Sequence, residues 1–133
     1  MRMISMSSIL LTYKGKVLLM HRDMSAIVQT DWCLIEGKKE KNKSFEDSIS
    51  RTVEREINII LTRVALISSS MSENMKKHFF HSELTDADVN NIRRDEGQTL
   101  QFFTIRELEK LSLTSDTKAF VSQHRDFLES VQN

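Results

Sequence analysis

The segment Gly37-Lys38-Lys39-Glu40-Lys41-Asn42-Lys43-Ser44-Phe45-Glu46-Asp47-Ser48-Ile49-Ser50-Arg51-Thr52-Val53-Glu54-Arg55-Glu56-Ile57-Asn58-Ile59 decides how the rest of the chain is read. It begins as a lysine-rich loop and turns into a helix at Ser44. Serine is an N-cap residue, Asp47 stands three positions on, and Glu46 and Asp47 suit the positive end of a helix. Phe45, Ile49, Val53 and Ile57 recur every four residues and draw one apolar stripe. Asn58 ends the helix, because asparagine tolerates the left-handed conformation that closes one.

Outward from that helix, the N-terminal side predicts strands over Met3 to Thr12 and Lys16 to Arg22, joined by a Tyr13-Lys14-Gly15 turn. A short apolar stretch, Trp32 to Ile35, leads into Glu36-Gly37. On the C-terminal side, Arg63 to Ser70, Lys77 to Leu84 and Thr99 to Phe103 have the length and composition of strands. Thr85 to Glu96 is polar and reads as a loop. Thr104 to Glu107 is a capping box for a short helix ending near Leu111, and a last helix spans Ser115 to Val131. Its apolar face gathers Phe120, Val121, Phe127, Leu128 and Val131, with His124 packed on the same side. Strands interleaved with three helices give an α/β or α+β class.

Composition sets limits. The chain has 133 residues, a single domain's length, with 19 basic and 19 acidic side chains. That balance argues against coating nucleic acid or an anionic membrane. One cysteine cannot make an internal disulfide, which points to the cytoplasm. The early apolar run Ile9-Leu10-Leu11 is too short for a signal segment, and nothing approaches the ~18 apolar residues of a membrane span. With no proline at all, turns fall to Gly, Asn, Asp, Ser and Lys. His78 and His81, three apart on a strand, face opposite sides and read as ordinary strand residues. Cys33 has no partner suited to nucleophilic or metal chemistry.

Laid without gaps, the opening segment resembles the signature of the Nudix hydrolases: glycine, five residues, Glu, seven residues, then Arg-Glu-aliphatic-x-Glu-Glu-x-Gly-aliphatic. Gly37, Arg51, Val53, Glu56 and Ile59 fall on its positions. Val17-Leu18-Leu19 followed by Arg22, Trp32 before the turn, Glu96, Phe102-Phe103 and Glu107-Leu108 resemble the flanks in the right order. The resemblance implies one domain over residues 1–133, a Nudix-type α/β/α sandwich with a mixed curved sheet. It implies cleavage of a nucleoside diphosphate derivative with Mg²⁺ or Mn²⁺ held by helix carboxylates. Glu56 would be the metal ligand, and Glu56, Arg51 and Glu96 the catalytic set, with Arg51 orienting Glu56. Arg22 and Gly37 would bind substrate; Arg55, a departure from the family, is either drift in a dead site or a substrate-binding phosphate clamp in place of the cation.

The departures matter as much. The three ligand positions, which share one helix face, read Thr52, Arg55 and Glu56, so two of three glutamates are replaced. The glutamate ahead of the helix is Lys43, the glycine after it is Asn58, and the Pro-Gly-Gly turn is Ile35-Glu36-Gly37. A guanidinium about 5 Å from a divalent ion costs roughly 6–7 kcal/mol at an effective dielectric near 20. Glu36, Glu40, Glu46, Asp47, Asp95 and Glu96 are the acids available to compensate, whereas Glu54 points off that face. The expectation is a hydrolase with a degraded metal site, weak activity and a weak or lost cation. The alternative is an inactive nucleotide-binding or interaction module. A third reading is a dimerising scaffold. The partners expected are a nucleotide-like small molecule, no nucleic acid and no membrane, with a homodimer compatible.

Overall fold

A computed structural model describes residues 3–22, 31–93 and 97–131. The chain divides into two compact units, Met1–Leu11 with Ile35–Arg93, and Thr12–Leu34 with Arg94–Asn133. Strands and helices alternate as the sequence predicts, and the class is α+β.

The first unit holds most of β1 (Ile4–Tyr13), together with β3 (Ile35–Lys38), α1 (Phe45–Ile57), β4 (Ala65–Met71), β5 (Met75–Glu83) and α2 (Asp86–Asn90). Its strands run in the order β4-β5-β1, and β3 pairs antiparallel with β1, Ser7 opposite Gly37 and Ser8 opposite Glu36. The caps of α1 form as expected: Ser44 Oγ accepts from the Asp47 N–H, and Asn58, at φ 64°, donates its N–H to the Glu54 carbonyl. Three of the four stripe residues bury completely, Ile49, Val53 and Ile57 each at 0% exposure, and Phe45 is half-buried. At about 25 cal/mol per Å² of apolar surface, such burial is the main force seating the helix.

The second unit holds β2 (Lys16–Arg22) paired antiparallel with β6 (Gln98–Thr104), then α3 (Ile105–Leu108), α4 (Ser115–Gln123) and α5 (Arg125–Val131). The turn before β2 uses two left-handed residues, Lys14 at φ 48° and Gly15 at φ 77°, a combination that matches strand twist in tight hairpins. The Thr104/Glu107 capping box forms. Trp32 sets its ring edge-on to Phe103, 4.9 Å between centroids, and the Leu34 N–H donates to Thr117 Oγ1 at 3.3 Å.

Two expectations are corrected. The polar stretch after Leu84 contains α2, started by a capping box in which Thr85 and Asp88 exchange hydrogen bonds. The last helix is two helices, broken at His124. That residue is packed as expected: its ring stacks on Phe120 at 4.3 Å, and its Nδ1 lies 2.9 Å from the Phe120 carbonyl oxygen.

Candidate functional site

The signature segment lies wholly within the first unit. Gly37, in β3, lets α1 approach its strand: a Cβ there would stand 2.9 Å from Thr52 Oγ1 and 3.4 Å from Thr52 Cγ2. Contacts below 3.0 Å do not occur without movement, so a bare backbone is required at this crossing. Ser7, opposite Gly37, fixes the start of the helix by donating its hydroxyl to the Phe45 carbonyl at 2.8 Å.

The loop between β3 and α1 is held by backbone bonds. The Lys39 N–H donates to the Ser5 carbonyl, and the Lys43 N–H to the Glu40 carbonyl. Asn42 takes φ 67°, and the Glu40 N–H donates to the buried Ser48 Oγ at 2.9 Å. These anchors aim the Glu40 carboxylate at the helix. Arg51 Nε donates to Glu40 Oε2 at 2.8 Å, and Arg55 NH1 lies 3.8 Å from Glu40 Oε1.

Of the three ligand positions, Thr52 is buried, at 4% exposure, and its hydroxyl donates to the Ser48 carbonyl at 3.0 Å. Arg55 reaches back to it, NH2 to Oγ1 at 3.4 Å. Glu56 is half-buried. Among the described residues no three His, Cys, Asp or Glu side chains converge as metal ligands. A cavity of about 380 Å³ is bordered by Arg51, Glu54, Arg55 and Asn58.

Arg22 is placed at the end of β2, opposite Gln98. Glu96 and Asp95 lie outside the described residues. Sequence reasoning counted Glu40 only among nearby acids. Its pairing with two arginines, 11 and 15 residues on, left one usable signal, an acid three positions before Lys43 in a loop otherwise rich in lysine. Also unforeseen is the ion pair of Lys77 with Glu36, Nζ to Oε2 at 2.7 Å, with Lys77 at 4% exposure. Glu36 stands where the family's turn has a glycine, so the departure is matched by a charge partner from β5. His78 stacks on Phe45 at 3.8 Å. Burial first, then the neighbouring Lys76 charge, lowers its pKa; burial also lowers that of His81, against an opposing pull from Glu83.

The fold and the helix-strand crossing define an α+β protein built around a signature helix. The chain matches the NUDIX domain over residues 1–128, and it belongs to that family. Solved structures share the fold. A MutT structure from work on Aliivibrio salmonicida and Vibrio cholerae is 16% identical, with a TM-score of 0.75 and 98% of each chain covered. The NUDIX domain of Shewanella oneidensis NrtR, in complex with ADP ribose, is 12% identical, with a TM-score of 0.74 over 96% of this chain and 90% of that one. MutT NUDIX hydrolase from Burkholderia pseudomallei is 19% identical, with a TM-score of 0.74 over 92% and 98%. No curated protein sequence matches the chain.

Proposed function

We propose that this Nudix domain binds a nucleoside diphosphate derivative along α1 and hydrolyses it weakly, with its divalent-cation site degraded. The observation that carries the reading is the chemistry of the three ligand positions. Thr52 is neutral and its hydroxyl proton is given to the Ser48 carbonyl, Arg55 is a cation 3.4 Å from it, and Glu56 alone is acidic. Divalent Mg²⁺ or Mn²⁺ needs several oxygen ligands, carboxylates foremost, and the residues here do not fit one. The ligand class follows from family membership and is supported by the ADP-ribose complex of the NrtR domain.

In this reading Glu56 is the residual acid, Arg51 stabilises the segment beside it, and Gly37 keeps the ligand face close to the strand. Arg22 binds substrate and Glu96 serves as base or extra ligand, the roles that the resemblance gives them. The chain works as one cytoplasmic domain; no described helix is long and apolar enough to cross a membrane. The inactive binding module is the second reading, favoured by the Arg55 guanidinium at a ligand position. Calorimetric titration with Mn²⁺ tests the degraded cation site. Affinity in the millimolar range is expected, and micromolar affinity lost in Glu56→Gln would overturn it. Formation of AMP and ribose 5-phosphate from ADP-ribose separates the readings: slow turnover supports the hydrolase and none supports the module.

A further inference from the structure

We propose that Arg51 and Arg55 form a metal-independent phosphate site in which the Glu40 carboxylate is the resident anion, displaced when a diphosphate group binds. The proposal rests on the nucleotide reading above and deepens it by replacing the cation with a guanidinium pair.

The two arginines are four residues apart on α1, so they share a face. Like charges at that spacing repel, and the Glu40 carboxylate lies between them, one oxygen 2.8 Å from Arg51 Nε and the other 3.8 Å from Arg55 NH1. A carboxylate held by two guanidiniums has the shape and charge of one edge of a phosphate group. Guanidinium forks bind both by paired charge-assisted hydrogen bonds.

Three features make Glu40 displaceable. The pair is half-exposed, with side-chain exposures of 54% for Arg51, 61% for Arg55 and 34% for Glu40, and such ion pairs hold weakly. The longer contact, at 3.8 Å, leaves Arg55 with donors to offer an incoming oxygen. The Glu40 backbone is pinned through Ser48, so the carboxylate can swing away while the loop stays in place. Lys39, Lys41 and Lys43 on the same loop, with Lys38 at the end of β3, add a positive field. Glu54 borders the adjacent cavity and opposes an anion, so affinity should be moderate.

Inorganic pyrophosphate titrated calorimetrically in the presence of EDTA tests the site without metal or nucleoside. The wild-type chain should bind. Arg55→Ala should weaken binding about tenfold or more, and Arg55→Lys should weaken it less, because the charge stays. Glu40→Gln should tighten it about two- to fivefold by removing the competitor. Absence of binding, or a Glu40→Gln variant that binds equally or more weakly, overturns the proposal. ADP-ribose titrated in parallel separates this from the broader reading. If ADP-ribose binds while the variants leave pyrophosphate binding unchanged, the arginine site falls and the nucleotide reading stands. If the variants behave as expected but ADP-ribose binds no tighter than pyrophosphate, the site stands and the nucleotide reading falls.

Discussion

Gly37 and Thr52 meet where the backbone of β3 passes close to a side chain of α1. Adding a methyl group at Gly37 overpacks that crossing, so Gly37→Ala should cost about 1–3 kcal/mol. The clash is with the Thr52 hydroxyl and methyl; once these are removed, the nearest atom is Thr52 Cβ at 3.7 Å, an ordinary contact. Gly37→Ala should therefore be better tolerated in a Thr52→Ala background, and a double-mutant cycle by urea unfolding should return a coupling of about 1 kcal/mol. Additive losses would mean that Gly37 is needed for another reason. Val53 has no such relief. Fully buried on the stripe, it should lose about 2 kcal/mol as Val53→Ala. Thr52→Ala should cost less than Val53→Ala, although its buried hydrogen bond to Ser48 makes the loss measurable.

At the scale of elements, local chemistry was the legible part. Ser44 and Asn58 mark the ends of α1 in the sequence because capping is decided by the capping residue and its near neighbours. Asn58→Ala should destabilise by about 1 kcal/mol, since alanine is strained at φ 64° and cannot replace the Asn58 Nδ2 bond to the Asn91 carbonyl. Asn58→Gly removes the strain, and its urea midpoint should lie between the alanine variant and the native protein. The helix α2 escaped notice because its short, polar sequence has no apolar period; only the Thr85/Asp88 box announces it. The break at His124 escaped for the opposite reason, since the apolar face of Phe120, Phe127 and Leu128 continues across it. On β5, both His78 and His81 have pKa values below the usual 6.5 in the folded chain. The unfolded chain then binds more protons just below that value, so stability is fully present above about pH 6.5 and falls as the pH drops through the lowered folded values. Urea midpoints at pH 7.5 and 5.5 should show this loss, and His81→Asn should reduce it. A flat profile in the native protein would contradict the assigned environment.

For the whole molecule, family membership could be read from residues at fixed spacing, because Gly37, Arg51, Val53, Glu56 and Ile59 keep their register. How the departures are compensated could not be read. Glu40 reaches Arg51 only because a loop pinned to Ser5 and Ser48 turns it toward the helix, and Lys77 reaches Glu36 from a strand about forty residues away. Those pairings are properties of the folded chain, and they change what the altered signature means. A helix whose three ligand positions keep one carboxylate, Glu56, and whose Arg51 and Arg55 carry guanidiniums is suited to hold phosphate oxygens directly. The central question is whether a nucleoside diphosphate derivative needs a cation to bind. The deciding measurement is the dissociation constant of ADP-ribose by calorimetry, once in EDTA and once in millimolar Mg²⁺. Binding is expected in both, with constants within about threefold of each other. Binding that appears only with Mg²⁺, or in neither condition, would contradict this reading.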